Sequence, residues 1–477
     1  MNEYDIVIGL EIHAELNTRS KVFCRCKNEF GAEPNTQVCP VCIGLPGALP
    51  ILNREAVKLA IKAGLTVGCT INDIAVFERK NYFYPDLAKS YQISQLQKPI
   101  CLGGGIRLDS GKFIRLNRIH LEEDAGKLIH LNATAGTLVD YNRGGVPLIE
   151  SVSEPDMSSA AEAVEFMEKL RSNFVFAGIA ECKMEQGGMR CDVNISVKKK
   201  GSALLGTRTE MKNLNSFKMV ARAIEYESNR QIEEVEAGHK IIQQTRRWDD
   251  NKGKSYAMRS KEEANDYRYF PDPDVRVVKL NKEVVEQIKS TLPRLASHRI
   301  EQYVNEYALP PYDAKVLTNE LFISDYFEAV NKIINKPKAA SNWIMTDVLR
   351  KLKETDLESL EEIISAENLA AIIEMVESKQ ITRTNGKELF EEICFKKGVK
   401  AKVLAEQKGF LSTMSEAEIG KIIDELIKEN PQALTDYKIQ PDKVIRFFMG
   451  QVMKKTGGKA KFEVAEPKIR AKLEKLL

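Results

Sequence analysis

Residues 5–16 read Asp-Ile-Val-Ile-Gly-Leu-Glu-Ile-His-Ala-Glu-Leu. In an extended strand successive side chains point to opposite faces. Ile6, Ile8, Leu10, Ile12, Ala14 and Leu16 therefore share one face, and Glu11, His13 and Glu15 share the other beside Gly9. The pattern recurs. In residues 190–197, Cys191, Val193, Ile195 and Val197 make an apolar face, with Arg190, Asp192, Asn194 and Ser196 opposite. In residues 207–212, Arg208, Glu210 and Lys212 share a face, and residues 113–119 lead into the acidic stretch His120-Leu-Glu-Glu-Asp124. A single strand of this kind is an ordinary solvated one. Several together are explained by one antiparallel sheet with one wet face.

The remainder of the chain divides by pattern. Up to about residue 290, short alternating runs are separated by turn residues such as Asn142-Arg-Gly-Gly145. Two helices are expected there. One spans 158–177, with Asp156 or Ser158 as cap and Gly178 as stop; the other spans 217–237 and ends at Gly238. Pro271-Asp-Pro-Asp274 punctuates the end of this region. From about residue 295, Leu, Ile, Glu and Lys recur at helical spacing, with breaks expected at Asn335-Lys-Pro337, Thr384-Asn-Gly386 and Lys397-Gly398. The expected architecture is α+β: a large domain over 1–293, a helical domain over 294–404 and a small basic helical domain over 405–477. A length of 477 residues agrees with about three domains of roughly 150 residues.

Charge excludes one class of protein. Lys and Arg number 71 against 68 Asp and Glu, a net charge of +3. Bulk charge therefore does not hold this chain on nucleic acid. A local basic surface is still open, and from Lys438 onward eleven Lys/Arg stand against four Asp/Glu, a local +7. There, Lys454, Lys455 and Lys459 flank the Gly457-Gly458 turn and suit phosphate contacts. The start, Met-Asn-Glu-Tyr-Asp, lacks a basic then apolar leader. No apolar run approaches the ~18 residues that span a bilayer. The cytoplasm is the expected compartment, where thiols stay reduced.

Four of the nine cysteines, Cys24, Cys26, Cys39 and Cys42, form two close pairs separated by twelve residues. Thiol pairs on tight turns suit a tetrahedral Zn²⁺, and four thiolates leave no open position, so a structural zinc is expected. On the strand faces, carboxylates with an imidazole suit a hard cation, Mg²⁺ above all. Arg118, Arg143, Arg190, Arg208 and Lys80 are candidates to hold phosphates by charge-assisted hydrogen bonds. That combination points to ATP use or phosphoryl transfer. Yet no Walker A sequence, Gly-X-Gly-X-X-Gly turn or Gly-X-Ser-X-Gly elbow is present. A nucleotide site here is of an unusual kind.

Long segments resemble the B subunits of glutamyl/aspartyl-tRNA amidotransferases. They include Ile8-Gly-Leu-Glu-Ile-His-Ala-Glu-Leu16, Phe30-Gly-Ala-Glu-Pro-Asn35, Arg79-Lys-Asn-Tyr-Phe-Tyr-Pro-Asp86 and Ile119-His-Leu-Glu-Glu-Asp-Ala-Gly-Lys127. Asp140-Tyr-Asn-Arg-Gly-Gly-Val-Pro-Leu-Ile-Glu150, Met184-Glu-Gln-Gly-Gly-Met-Arg-Cys-Asp-Val-Asn-Ile-Ser196, Thr209-Glu-Met-Lys-Asn-Leu-Asn-Ser216 and Tyr267-Arg-Tyr-Phe-Pro-Asp-Pro-Asp274 belong with them, as does Lys454-Lys-Thr-Gly-Gly-Lys459. The resemblance covers nearly the whole chain. It implies a cradle-shaped α+β domain, a helical domain and a tail similar to the small YqeY proteins, which grips the tRNA.

It also implies a heterotrimeric complex with two partners, an amidase (glutaminase) and a small third protein, acting on mischarged glutamyl-tRNA(Gln) or aspartyl-tRNA(Asn). Members of the resembled family activate the side-chain carboxylate with ATP and Mg²⁺, and channelled ammonia displaces the phosphate. Carried onto matching positions, the metal and catalytic set is Glu11, His13, Glu123, Asp192 and Glu210, with Glu122, Glu150 and Glu185 as neighbours. The implied nucleotide contacts are Arg118, Arg143, Arg190 and Lys212. Lys80 and Tyr82 fall in the motif near the channel mouth. A different class remains as the alternative, a zinc-stabilised RNA-binding or assembly protein without catalysis. It leaves the carboxylate-bearing strand faces unexplained, since these repel a phosphate backbone unless a cation intervenes.

Overall fold

The computed structural model describes residues 3–131, 136–260, 264–355, 357, 359–411, 416–457, 460 and 462–476. The chain divides into two compact units, Met1–Ala296 and Ser297–Leu477. A ten-stranded sheet dominates the first. Its central strands are β1 (Tyr4–Glu15), β2 (Phe113–Glu123), β3 (Pro147–Ser153), β4 (Met189–Lys199) and β5 (Thr209–Leu214), followed by β6 (Gln244–Asp249) and β7 (Lys254–Ser260). The order across the sheet is β7-β6-β5-β4-β1-β3-β2, continued by the short strands Cys101–Leu102 and Thr70–Ile71, with Gly105–Arg107 also paired to β2.

The expected wet-faced sheet is present with one difference. Its pairs are antiparallel except β5 with β6, which run parallel. These strands are joined by a helix, α3 below, and a helical crossover is what returns a chain parallel to itself. The apolar face carries Ile8, Leu10, Ile12 and Ala14 of β1, Ile119 and Leu121 of β2, Ile149 of β3 and Val193 and Ile195 of β4, all buried. Three helices pack into the same core: α1 (Arg54–Thr66), α2 (Ala160–Phe176) and α3 (Phe217–Glu236). Phe166, Leu170 and Phe174 of α2 and Val220 and Ile224 of α3 are fully buried there. Each such side chain contributes ~1.5–3 kcal/mol relative to exposure.

The caps refine the expected helix boundaries. The cap of α2 is Ser159 rather than Asp156 or Ser158. Its hydroxyl accepts from Glu162 N at 3.2 Å, while Ser158 donates its backbone N–H to the Glu162 carboxylate at 2.8 Å. This is a capping box displaced by one residue. Helix α3 starts at its own serine cap, Ser216, whose hydroxyl accepts from Met219 N.

The second unit is helical and has two separate apolar clusters. One runs from Tyr303 to Ala405 around Phe327, Trp343 and Phe390. The other runs from Ile419 to Leu473 around Ile423, Phe448 and Ile469. The break at Asn335 is present: Asn335 is left-handed (φ 48°) and Pro337 opens the next helix. Thr384-Asn-Gly386 is not a break. It lies inside the helix Arg383–Ile393, which is capped by Thr382. Gly386 is required there by a close approach, since a Cβ would come within 2.6 Å of the Val376 side chain. Among the described residues, no helix is long and apolar enough to cross a membrane.

Candidate active site

Register across the wet face decides which polar side chains meet. In β1, β3 and β2, His13 lies opposite Glu150, and Glu150 opposite His120. On the other side of β1, Glu11 lies opposite Asp192 of β4. Farther along β4, Asn194 lies opposite Glu210 of β5, and Glu210 opposite Thr245 of β6. The β4–β5 ladder shifts register between Cys191 and Val193, so Asp192 sits at an irregularity of the kind that re-aims a side chain.

Two donor clusters result. In one, an imidazole nitrogen of His13 and carboxylate oxygens of Glu122 and Glu150 lie within 4.8 Å of one another. His13 Nε2 is 3.5 Å from Glu150 and 3.6 Å from Glu122. In the other, oxygens of Glu11, Asp192 and Glu210 meet the same limit. Asn194 donates to Glu11 at 2.9 Å, and the Thr245 hydroxyl donates to Glu210 at 2.8 Å. The Lys212 ammonium is hydrogen-bonded to Asp192 and lies 3.5 Å from Glu210. Both clusters border one cavity of about 970 Å³, which also reaches Lys80, Arg118, His120, Arg208 and Tyr269.

The electrostatics are those of carboxylates made to share positive partners. Burial works against the charged form of Glu150, yet His120 and His13 hold its carboxyl well below the ordinary range. Burial also works against charge on His13 and His120. Glu150 and Glu122 nevertheless raise both, His120 to about 9. Lys80 is raised likewise: burial opposes its charge, and Tyr269, Glu122 and Glu150 favour it. Its ammonium lies 4.8 Å from the centre of the Tyr267 ring and 5.9 Å from that of Tyr82.

Several expected residues are placed elsewhere. Glu123 belongs to neither cluster. Strand alternation turns it away from Glu122, and it accepts from Lys89 at 2.6 Å and from Ile93 N at 2.9 Å. Arg143 donates to the carbonyls of Ala125 and Gly126 and lies 3.5 Å from Asp124; Arg190 donates to Asp124 at 2.6 Å. Neither arginine borders the cavity, and nor does Tyr82, whereas Arg118 and Lys212 do. Next to the Arg190–Asp124 pair, burial and the Asp124 charge raise the Glu15 carboxyl to about 7. Glu185 sits on the short helix Met184–Gln186, outside the cavity lining. In the tail, Lys455 is paired with Glu429 at 2.8 Å, and Lys454 is exposed in the same helix. Lys459 lies outside the described residues.

Glu122 and Glu150, expected only as neighbours, are members of the first cluster, and His120 is a contributor that sequence reasoning misses. Alternation is the available signal, because it puts Arg118, His120 and Glu122 on one face of β2.

The four cysteine sulfurs also converge within 4.8 Å. Cys42 Sγ is 3.9 Å from Cys39 Sγ and 4.0 Å from Cys26 Sγ. A tetrahedron with ~2.3 Å zinc–sulfur bonds has edges of about 3.8 Å, close to these two separations, so the donor set suits zinc. The Cys42 thiol falls to about 4, chiefly through hydrogen bonding from Cys24 and against burial, with Lys21 nearby also favouring the thiolate.

The first unit is thus a helix-backed sheet whose wet face gathers two clusters of carboxylates beside one cavity. Residues 6–286 match the GatB/GatE catalytic domain and residues 325–473 the GatB domain. The chain is 48% identical, over the full length of both sequences, to the B subunit of the aspartyl/glutamyl-tRNA(Asn/Gln) amidotransferase in Lachnoclostridium phytofermentans. It is 49% identical to the protein of that name in Caldicellulosiruptor bescii, over 99% of this chain and all of the relative. It is 46% identical to the second of the numbered proteins of that name in Clostridium acetobutylicum, over 99% of each. The chain belongs to the B-subunit family of the tRNA-dependent amidotransferases.

Proposed function

We propose that this chain activates the side-chain carboxylate of glutamate on tRNA(Gln), aspartate on tRNA(Asn), or both, within an ATP-dependent ligase. A carboxylate oxygen attacks the γ-phosphorus of ATP, ADP leaves, and an acyl phosphate remains. Ammonia then attacks the acyl carbon, phosphate leaves, and the amide forms. Ammonia comes from glutamine hydrolysed by the amidase partner, with a small third protein completing the complex. The observation that carries this reading is the convergence of two carboxylate clusters, Arg118 and Lys80 on one cavity of about 970 Å³.

His13, Glu122 and Glu150 fit a Mg²⁺ ion, one imidazole nitrogen and hard oxygens within reach of each other. Glu11, Asp192 and Glu210 fit a second position once Lys212 is drawn off. Mg²⁺ supplies charge neutralisation between two anions that otherwise repel. Arg118 and Lys212 hold phosphate oxygens by charge-assisted hydrogen bonds. Lys80, among tyrosines, offers its ammonium to the substrate carboxylate. The cysteine quartet takes a structural zinc. Residues 405–477, with Lys454, Lys455 and Lys459, supply basic contacts to the tRNA backbone, while the acceptor end enters the domain formed by residues 1–293.

The test is ATP hydrolysis in the assembled complex. Hydrolysis is expected to depend on mischarged tRNA and to be lost on His13→Ala, with glutaminase activity retained. Hydrolysis that is absent, or indifferent to mischarged tRNA, overturns the proposal and favours a binding protein.

A further inference from the structure

Two imidazoles face the carboxylates of Glu122 and Glu150, and the proposed cation site takes a ligand from only one of them, His13. The other, His120, is 2% exposed. Its Nε2 lies 3.3 Å from Glu150 Oε2 and 3.6 Å from Glu122 Oε2. His13 Nε2 lies 3.5 Å from the same Glu150 oxygen and 3.6 Å from the other oxygen of Glu122. The two carboxylates are therefore held between two rings, with Ser94 Oγ donating to Glu122 Oε2 at 3.0 Å.

The second nitrogen of His120 has its own partner. Arg118 Nε points at His120 Nδ1 from 3.4 Å. The other ring nitrogen, Nε2, is the one that lies 3.3–3.6 Å from the carboxylates. Arg118 in turn borders the cavity. A continuous path runs from Arg118 through His120 to the two carboxylates and on to His13.

We propose that His120 is a positioning residue: it holds Glu122 and Glu150 in the orientation that, with His13, receives a divalent cation, and Arg118 flanks its ring at Nδ1. This rests on the reading that the His13–Glu122–Glu150 cluster binds a cation. Partners of this outer kind turn a ligand's lone pairs toward the metal, and losing one typically weakens metal binding about 10–100-fold. A ring present only to fill space does not have this effect, and phenylalanine fills nearly the same space.

The test is a Mn²⁺ titration of the full chain without nucleotide or tRNA, with free Mn²⁺ followed by electron paramagnetic resonance. The site of interest is the one that disappears in His13→Ala. His120→Phe is expected to weaken it about 10–100-fold with an unchanged melting temperature. His120→Gln, whose amide N–H can replace the Nε2 proton, is expected to restore affinity to within a few-fold of wild type. Arg118→Met is expected to cost only a few-fold, because it removes the contact at Nδ1 and leaves the ring. Wild-type affinity in His120→Phe overturns the proposal. So does equal loss in the Phe and Gln variants accompanied by a lower melting temperature, which marks a packing role. If wild type has no Mn²⁺ site sensitive to His13→Ala, the cation reading itself falls and takes this proposal with it.

Discussion

The two donor clusters are anchored two residues apart on one strand, at Glu11 and His13, yet they are neutralised differently. Around Glu122 and Glu150 the positive partners are imidazoles, His13 at 3.5–3.6 Å and His120 at 3.3–3.6 Å. Around Asp192 and Glu210 the positive partner is an ammonium, that of Lys212. An imidazole can give up a proton and become a ligand. An ammonium has no lone pair to offer and must move before a cation enters. A cation would therefore enter the first cluster on loss of a proton, and the second only on movement of Lys212.

The sharpest test of that contrast is removal of a ligand from the first cluster. Glu150→Ala is expected to lower tRNA-dependent ATP hydrolysis on the order of 10³-fold, the kinetic equivalent of losing several kcal/mol of charge stabilisation. Folding and glutaminase activity of the complex should persist. A loss below tenfold, measured by steady-state hydrolysis, would put the essential cation elsewhere.

The next effect separates neighbours in sequence. Glu122 faces His13, whereas Glu123 faces Lys89 with side chains only 5% and 13% exposed. Glu123→Gln leaves the Lys89 ammonium without its charged partner in a poorly hydrated place. A stability loss of about 3–5 kcal/mol is expected, read by denaturant unfolding of the full chain. Glu122→Gln should instead cost activity with a much smaller change in stability. Reversed outcomes would mean that the faces of β2 have been assigned the wrong way round.

That pair also shows how far the sequence can be read. Period-2 alternation in residues 5–16 is enough to separate core from wet face, and every back-face residue of β1 from Ile8 to Ala14 is buried. The same alternation carried through Ile119 and Leu121 places His120 and Glu122 on the wet side and Glu123 behind them. Family likeness points instead to Glu123, a single-residue slip that exchanges faces. What alternation cannot supply is pairing between distant strands. Ser153 accepts from Leu10 N across 143 residues, and nothing local to either segment announces it. The register shift beside Asp192 and the parallel β5–β6 pair are tertiary outcomes of the same kind. Arg143 and Arg190 depart from expectation for a related reason. An arginine beside an acidic segment looks free for phosphate, but both are spent on Asp124 and nearby carbonyls.

The smallest expected effect concerns the ammonium of the second cluster and bears most directly on the contrast. Lys212 is 37% exposed, so its pairing with Asp192 is partly screened by water and its release is within reach of a competing anion. A triphosphate is such an anion, and a flexible lysine stem allows the ammonium to follow it. Lys212→Met should therefore act in two opposite directions. Without nucleotide, Mn²⁺ binding that depends on Asp192 should tighten several-fold, because three carboxylates lose their resident cation. With nucleotide, the KM for ATP should rise about tenfold, in line with a lost charge-assisted hydrogen bond of ~1.5 kcal/mol or more. If both affinities weaken together, Lys212 serves the carboxylates only as a scaffold. The two clusters would then differ in composition but not in how they admit a cation.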